Sequence, residues 1–402
     1  MNDFHFTLKV PAEPARLLQG SDLLDSCHGP PGGEQKLDHW LNQWSIKKLA
    51  TPAVAVGFVR YDGSFWFGIP QHTRLITEQE FFRNHFSDLN HRQIKDTDAF
   101  RKSFTNRSQT IQSPSAVHST SLNREQYIRA VQRAQQYIAA GDIYQVNICR
   151  IVSGPFSISA DTLARRLLHI SRAPYFSHIH LSDTDIISAS PELFLEIQDD
   201  TITTQPIKGT RRRSQDPRKD AQLARELTTC PKELAELIMI TDLERNDLGK
   251  ICRYGSVRVT ELAAQKVFPH VRHLVSTVTG TLLPGIGPAR ALFSCLPGGS
   301  ITGAPKIRAT QIISELEPEP RGLYCGVIGF FDLRAHAARF SIAIRTVELS
   351  RGVFRYGVGS GITADSIPAQ EWEETNWKSA PLNQALGIRA EASVSVARGS
   401  NN

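Results

Sequence analysis

Four short segments rich in β-branched residues lie between residues 143 and 204, and no helix is predicted between them. They cover residues 143–152, 185–190, 193–197 and 201–204 and are separated by turn residues. Parallel neighbours in a sheet need a long crossover connection, usually a helix, whereas antiparallel neighbours need only a short turn. This run of strands therefore predicts a large antiparallel sheet and disfavours a βαβ repeat.

Helical patterns flank the strands. From Asn123, apolar residues recur every three or four positions until Gly141 ends the pattern. Further helices are predicted over 221–246, 288–293, 304–315 and most of 367–386, and further strands over 53–59, 64–68, 326–332, 338–346 and 354–359. The chain is thus predicted to be of the α+β class.

Length and composition define the class of protein. The 402 residues are 40% hydrophobic and 21% charged, which excludes collagen-like and wholly disordered chains.

A polar stretch over 88–121 predicts a connection, so we expect an N-terminal part (1–115), a catalytic part (116–385) and a polar tail (386–402). No apolar run approaches the roughly 20 residues of a membrane span, and the first residues lack a secretory pattern, so we expect a cytoplasmic protein without a membrane partner.

The net charge of +6 suits an anionic partner, and its sign alone does not choose among nucleic acid, acidic lipid and a small anionic substrate. The six cysteines occur singly, with no CxxC pair and no zinc-type Cys/His spacing. They are interpreted as reduced thiols.

Lys208 is a candidate nucleophile. It lies in Pro-Ile-Lys-Gly-Thr, and three arginines (211–213) follow at once. Neighbouring cations disfavour a charged amine, so the three arginines are expected to lower the pKa of Lys208. A solvated basic loop explains the same residues, and a nucleic-acid patch is a third interpretation that no interleaved aromatic residue supports.

Carboxylates form a second set of candidates. Glu233 with Glu236, and Glu371 with Glu374, are spaced i, i+3 on predicted helices, so each pair projects from one helix face and two such faces could bind Mg²⁺. Solvated helices give the same spacing. Glu192 ends an apolar strand, where a partly desolvated acid could hold a proton.

Two glycine-rich loops complete the candidates, at 298–306 and 357–361. Their bare N–H groups could bind anions, but neither matches a nucleotide-binding motif.

Taken together, the order and spacing of these motifs from about Asn123 to Leu382 resemble the chorismate-utilising enzymes. That family includes anthranilate synthase component I, aminodeoxychorismate synthase component I, isochorismate synthase and salicylate synthase. The matching segments are 141–147, 190–192, 206–210, 242–248, 299–306, 342–346, 357–361 and 374–376. The resemblance implies the anthranilate synthase component I fold, in which large antiparallel sheets pack together with helices outside.

The resemblance also implies roles for individual residues. Mg²⁺ would bridge the substrate's ring carboxylate to Glu236 and Glu374, with Glu233 and Glu371 in support. The catalytic residues would be Lys208, Glu192 and His273; without the resemblance, His273 would be interpreted as a satisfied histidine of a helix or loop. The substrate-binding residues would be Gly209, Thr210, Tyr324, Arg345, Gly359, Gly361 and Lys378.

Two positions separate the subgroups. Isochorismate and salicylate synthases have a lysine base where this chain has Gln145, so hydroxylation at C2 is disfavoured. Anthranilate synthases typically have Ala where this chain has Lys208, and the lysine form resembles aminodeoxychorismate synthase component I. Amination at C4 for p-aminobenzoate and folate synthesis is therefore expected. The alternatives are anthranilate synthase component I and a non-catalytic binding protein on the same fold.

Partners follow from the same resemblance. No glutaminase motif is visible, so a separate glutamine amidotransferase subunit is expected to supply ammonia for chorismate. The downstream aminodeoxychorismate lyase is expected to be a separate protein. Leu24, Asp25 and Ser26 resemble a segment that lines a tryptophan site in relatives, and that site is regulatory, structural or vacant here.

Overall fold

The fold was analysed in a computed structural model, which describes residues 4–9, 16–45, 47, 53–77, 118–268 and 271–388. The expected connection over 88–121 lies outside these residues except for its last four positions. Most of the expected tail over 386–402 also lies outside them.

The described residues form eighteen strands and eight α-helices. The strands are β1 (His5–Lys9), β2 (Arg16–Gly29), β3 (Val54–Val59), β4 (Phe65–Thr77), β5 (Ser119–Thr120), β6 (Gln145–Pro155), β7 (Tyr175–Leu181), β8 (Thr184–Ser190), β9 (Leu193–Gln198), β10 (Thr201–Gln205), β11 (Ile207–Arg212), β12 (Arg258–Val267), β13 (Val271–Thr281), β14 (Gly303–Ala304), β15 (Val327–Asp332), β16 (Ala337–Ile342), β17 (Thr346–Ser350) and β18 (Val353–Ile362). The helices are α1 (Glu34–Ser45), α2 (Arg124–Ala139), α3 (Ala160–Ser171), α4 (Pro217–Thr229), α5 (Pro231–Gly249), α6 (Pro288–Cys295), α7 (Lys306–Leu316) and α8 (Pro368–Leu386).

Every recorded strand pairing is antiparallel, as the sequence predicts. One half of the sheet runs β6, β18, β17, β8, β7, β1, and the other runs β2, β4, β3, β15, β16, β9, β10, β13. β1 pairs with both β7 and β2 and so joins the two halves. β11 and β12 both pair with β13.

The two halves pack face to face. One core cluster contains Phe6 and Ile186 from the first half together with Phe58 and Ile328 from the second. Helices cover the outer faces: α3 and α8 pack on the first half, and α1 and α6 pack on the second. This is the predicted arrangement of antiparallel sheets packed together with helices outside.

Local sequence explains why α2 begins where predicted. The Asn123 side chain accepts a hydrogen bond from the Gln126 backbone N–H, and the Gln126 side chain accepts one from the Asn123 backbone N–H. This capping box satisfies two backbone donors at the helix start. Tyr127, Val131 and Ala134 then lie on one buried face.

Three secondary-structure predictions were wrong. The helix expected over 221–246 is two helices, because Pro231 disfavours helical geometry at the preceding residue, and Cys230 is extended with ψ 109°. α3 and β7 lie inside the run that was predicted to lack helices. His273, expected in a helix or loop, lies on β13.

The cysteine interpretation is confirmed: all six are free thiols, and all but Cys230 are buried. Across the part of the chain that the structure describes, no helix combines the length and the apolar character that crossing a membrane requires.

Candidate functional site

Lys208 lies on β11 beside a local irregularity. Pairing between β11 and β13 shifts register between Lys208 and Thr210, and the intervening Gly209 has φ +73°. A Cβ there would also lie 2.9 Å from Leu227, so both backbone and space favour glycine. The Lys208 ammonium, whose side chain is 16% exposed, lies 4.0 Å from Glu236 Oε2.

Two of the three arginines after Lys208 are paired with carboxylates. Arg211 donates a hydrogen bond of 2.8 Å to Glu233, and Arg213 donates to both oxygens of Asp220. Two of the three cations that were expected to act on the lysine are therefore paired with carboxylates, and the effect of the arginines on Lys208 stays a prediction. Lys208 itself forms an ion pair with the Glu236 carboxylate.

The structure brings together the four predicted glutamates and gives each a cationic partner. Glu233 and Glu236 lie on α5, and Glu371 and Glu374 lie on α8. The N–O distances are 2.8 Å for Arg211–Glu233, 4.0 Å for Lys208–Glu236, 3.8 Å for Lys232–Glu371 and 2.7 Å for Lys378–Glu374. The site is thus an alternating array of carboxylates and cations.

Electrostatic effects link the two helices. Burial raises the pKa of Glu236. Lys208 and Lys232 oppose this rise, and the carboxylates of Glu371 and Glu374 add to it. Burial also raises the pKa of Glu374, but the lysines around it outweigh burial and lower the pKa overall. The two helices therefore present carboxylates close enough to repel one another.

Glu192 follows β8, and its side chain is buried. Burial raises the pKa of Glu192, against the opposing effects of a hydrogen bond from Ser300 and the charges of Lys208 and Lys378. Ser300, in the glycine-rich segment 298–306, was not among the predicted site residues. The structure therefore places a buried carboxyl group, with its protonated form favoured, near the site lysine.

Glycines on β18 allow side chains to approach closely. A Cβ on Gly361 would lie 2.5 Å from Gln145 Nε2 and 3.5 Å from Lys208 Nζ, so both side chains converge on this glycine. The buried Gln145 Oε1 has no hydrogen-bond partner. Lys378 donates a hydrogen bond of 3.0 Å to the Gly359 carbonyl, which connects α8 to the same strand.

A second group links Thr210, His273 and Arg345. The Thr210 hydroxyl lies 2.9 Å from His273 Nδ1, within hydrogen-bonding distance. Burial, and then the charge of Arg345, lower the pKa of His273 to about 4, so its imidazole is neutral at pH 7. Arg345 has φ +51°, and its guanidinium forms no hydrogen bond or ion pair with any described residue. A partly desolvated cation of this kind suits an anionic ligand.

Two predicted groups lie apart from the lysine. Tyr324 is buried and packs against Gly357, four residues before Gly361 on β18. Leu24, Asp25 and Ser26 lie on β2, which pairs with β1 and β4.

The predicted tryptophan segment is engaged by the protein's own side chains. Asp25 Oδ2 accepts hydrogen bonds from the indole N–H groups of Trp40 (2.9 Å) and Trp44 (2.8 Å), and its Oδ1 accepts one from the Ser26 backbone. Asp25 therefore anchors α1 to β2, and binding of tryptophan here stays a prediction.

Sequence reasoning also missed a buried charged cluster on α5. Glu244 accepts a hydrogen bond of 3.0 Å from the Gly299 backbone N–H, and Lys306 donates to Asp247. Burial raises the pKa of Glu244 to about 7. These residues lie in two segments that carried the family resemblance, which was the available signal. The cluster ties α5 to the glycine-rich loop that carries Ser300.

We expect Glu244 to make stability fall as pH rises. Its folded pKa of about 7 exceeds that of an unfolded carboxyl group, so its contribution is complete below about pH 4.5 and is lost as the pH rises through about 7. Relative to a Glu244→Gln variant, the wild type should lose about 3 kcal/mol of unfolding free energy over this window. Urea unfolding at pH 5 and pH 8 measures the difference, with Glu125→Gln as an exposed control. Equal pH dependence in wild type and Glu244→Gln would contradict the expectation.

The donor set at the four glutamates suits a hard divalent cation. Four carboxylates supply oxygen ligands, and the buried Glu233 Oε2 has no hydrogen-bond partner. Burial raises the pKa of Glu236, and repulsion from Glu374 and Glu371 adds to the rise. A bound cation would relieve that repulsion. Elsewhere in the described residues, His5, Asp161 and His178 form a separate group with metal-ligating atoms within 4.8 Å of one another.

Comparisons with known proteins point to one enzyme family. The family model described as chorismate binding enzyme matches residues 37–384. Anthranilate synthase component 1 of Geobacillus stearothermophilus is 41% identical over 268 residues, covering 67% of this chain and 53% of that protein. Aminodeoxychorismate synthase component 1 of Bacillus subtilis is 41% identical over 265 residues, covering 66% of this chain and 56% of that protein. The chain spans about half the length of the curated relatives it matches.

Solved structures share the fold. Anthranilate synthase component I from Streptococcus pneumoniae superposes with a TM-score of 0.74 at 25% identity, covering 92% of both chains. The menaquinone-specific isochorismate synthase from Escherichia coli superposes with a TM-score of 0.72, covering 95% of this chain and 88% of that chain. Its identity is 18%, so this second likeness concerns the fold alone.

Proposed function

Because the chain belongs to the chorismate-binding enzyme family, we propose that it aminates chorismate at C4 to give 4-amino-4-deoxychorismate. The observation that carries the proposal is the position of Lys208, whose mostly buried amine lies 4.0 Å from Glu236 and interacts electrostatically with the buried acid Glu192. Relatives named anthranilate synthase and aminodeoxychorismate synthase match this chain equally well. The choice between the two reactions therefore depends on Lys208.

Chemistry at this site proceeds in two displacements. The unprotonated Lys208 amine attacks C2 of chorismate, both ring double bonds shift by one position, and the C4 hydroxyl departs as water with a proton from Glu192. The secondary ammonium formed at C2 then returns a proton to the Glu192 carboxylate. Ammonia adds at C4, both double bonds shift back, and the bond from C2 to the lysine nitrogen breaks. The departing lysine nitrogen takes a proton from the new ammonium group, which leaves a neutral amino group at C4.

Position 208 sets the regiochemistry in this scheme. A lysine bonded to C2 excludes ammonia from that carbon, so ammonia enters at C4. Gln145 approaches the same glycine as Lys208, and its amide cannot act as the base that would activate water at C2. The site therefore supports amination and disfavours hydroxylation.

Other residues would hold the substrate's two carboxylates. Arg345, whose guanidinium has no hydrogen-bond or ion-pair partner among the described residues, suits the enolpyruvyl carboxylate, and the neutral His273 beside it adds no competing positive charge. Tyr324, which packs against Gly357 of β18, is proposed for the same carboxylate. Lys378 and the backbone at Gly359 and Gly361 suit the ring end of the substrate. Gly209 and Thr210 position Lys208 and His273, respectively.

Glu236 and Glu374, supported by Glu233 and Glu371, would hold Mg²⁺. When bound, the cation would neutralise charge on the substrate's ring carboxylate. Lys378 lies 2.7 Å from Glu374, so its ammonium group could also contact the ring carboxylate of the substrate.

Removing a metal-binding carboxylate should abolish Mg²⁺-dependent turnover. We expect Glu236→Gln and Glu374→Gln to lower activity at least about a hundredfold and to raise the Mg²⁺ concentration needed for half-maximal rate. Steady-state assays across Mg²⁺ concentrations measure both effects. Glu373→Gln, an exposed neighbour on α8, is the matched control. An unchanged Mg²⁺ dependence in both site variants would remove these residues from the metal site.

A glutamine amidotransferase subunit is the proposed source of ammonia. The relatives are named component 1, which implies a second component. The product would pass to a separate aminodeoxychorismate lyase for p-aminobenzoate and folate synthesis.

Product identity tests the proposed function directly. The purified chain is incubated with chorismate, Mg²⁺ and ammonium, and the products are identified by mass spectrometry. We expect aminodeoxychorismate, and a chorismate-derived adduct on Lys208 when ammonium is omitted. Anthranilate with pyruvate as the sole products would overturn the proposal in favour of amination at C2. Salt-dependent RNA binding with no turnover would instead support a non-catalytic protein.

A further inference from the structure

A cluster of three histidines and two aspartates lies on β1, β7, β8 and α3, away from the glutamates of α5 and α8. His5 is opposite His180 in the β1–β7 register, and His180 is opposite Asp185 in the β7–β8 register. His178 lies two residues before His180, so both project from the same face of β7. Asp161 comes from the first turn of α3.

Three of these side chains converge. His5, Asp161 and His178 have ligating atoms within 4.8 Å of one another. His178 Nδ1 lies 3.9 Å from Asp161 Oδ1. The ring of His5 stacks on that of His180, with centroids 4.5 Å apart.

The other ring nitrogen of His178, Nε2, already has a hydrogen-bond partner. His178 Nε2 lies 2.8 Å from Asp185 Oδ1, and an ionised carboxylate only accepts hydrogen bonds, so Nε2 carries the proton. His180 Nδ1 lies 2.9 Å from the same oxygen. With Nε2 bonded to Asp185, Nδ1 is the ring nitrogen of His178 that faces Asp161, 3.9 Å from its Oδ1. Together with the His5 ring, these atoms form a compact group of possible metal ligands.

We propose that His5, His178 and Asp161 bind a divalent first-row transition metal ion such as Zn²⁺, with Asp185 orienting His178 from behind. Two imidazoles and a carboxylate favour such ions over Mg²⁺. The Asp185–His178 hydrogen bond matches the carboxylate–histidine–metal arrangement common in zinc proteins. Asp161 is 53% exposed, which leaves room for a water ligand and for entry of the ion.

The distances between the three proposed ligand atoms are close to those required around a metal ion. Zinc bonds of about 2.0–2.1 Å place tetrahedral ligand atoms about 3.4 Å apart. The present separations are at most 4.8 Å, and the exposed Asp161 side chain can rotate to shorten its own.

A metal ion at this site would stabilise the contact between the two halves of the sheet. His5 lies on β1, which pairs with both halves, and Asp161 lies on a helix of the outer layer. A metal ion bound only by the folded chain stabilises it by mass action, so Zn²⁺ should raise the melting temperature.

Cobalt is a suitable probe because its visible absorption reports ligand type and geometry. The untagged full chain is titrated with Co²⁺ in excess Mg²⁺, which occupies the carboxylate site, and Zn²⁺ is then added as competitor. We expect one Co²⁺ per chain, displaced by one Zn²⁺. His5→Gln and Asp161→Asn should each weaken binding at least about tenfold, and Asp185→Asn about 10–100-fold.

Controls separate this site from other metal binding. His39→Gln and Asp183→Asn change exposed residues of the same types outside the proposed ligands, and Glu236→Gln alters the active-site carboxylates. All three should bind Co²⁺ like the wild type. The proposal is overturned if the wild type shows no Co²⁺ band, or if His5→Gln and Asp161→Asn bind Co²⁺ with wild-type affinity. Circular dichroism confirms that each variant is folded.

Discussion

Replacing Lys208 by alanine should abolish the covalent adduct and lower formation of aminodeoxychorismate at least about a thousandfold, because the substitution removes the amine that lies beside Gly361. Mass spectrometry of intact protein with chorismate and Mg²⁺, without ammonium, detects the adduct. The same incubation with ammonium reports the product. A wild-type rate of aminodeoxychorismate formation in Lys208→Ala would contradict the proposed mechanism.

Two further variants separate the roles of charge and nucleophile. Lys208→Arg keeps a cation beside Glu236 but supplies no free amine at neutral pH, so it should be as inactive as Lys208→Ala. Lys219→Ala changes an exposed lysine on α4 and should retain full activity. Activity in the arginine variant would mean that Lys208 acts only through its charge. Anthranilate formed by Lys208→Ala would support the idea that this side chain directs ammonia to C4.

Glu192→Gln should lower turnover by about 10²–10⁴-fold, because an amide cannot protonate the departing C4 hydroxyl. Burial raises the pKa of Glu192, which favours the acid form, and the rate should fall as pH rises through that pKa. In wild type, the profile of kcat/KM against pH should therefore have an alkaline limb. Glu192→Gln should lack this limb.

Replacing Ser300 should shift the pH profile of kcat/KM in one direction. Its hydrogen bond to Glu192 lowers the pKa of that carboxyl, so Ser300→Ala should raise this pKa and move the alkaline limb to higher pH. Ser314→Ala, a change on the exposed face of α7, should leave the profile unchanged. A limb that stays in place in both Ser300→Ala and Glu192→Gln would mean that another acid protonates the substrate.

Local patterns predicted the antiparallel class and most elements, since capping residues, glycine stops and β-branched runs act over a few positions. Asn123 and Gly141, for example, mark the limits of α2. The break at Cys230 was also encoded locally, by Pro231, but the amphipathic pattern on both sides concealed it. The order in which strands pair depends on contacts between distant segments, and no local pattern specifies it.

The site was predictable only in part for the same reason. The four glutamates were found from their helical spacing and the family resemblance, but the cation beside each one was not. Arg211 pairs with Glu233 because strand β11 passes α5, a fact of tertiary structure. The histidine cluster has no sequence signature, because His5 and His178 are separated by most of the first half of the chain.

The pairing of β3 with β15 has a consequence for synthesis. β3 ends at residue 59, but its second neighbour begins at Val327, so one edge of β3 stays open until more than 260 further residues have been made. At about 5–20 residues per second, this edge waits for tens of seconds on the ribosome. An open hydrophobic strand edge is a template for aggregation. The edge of β3 therefore stays open to pairing with other chains during synthesis until β15 has emerged.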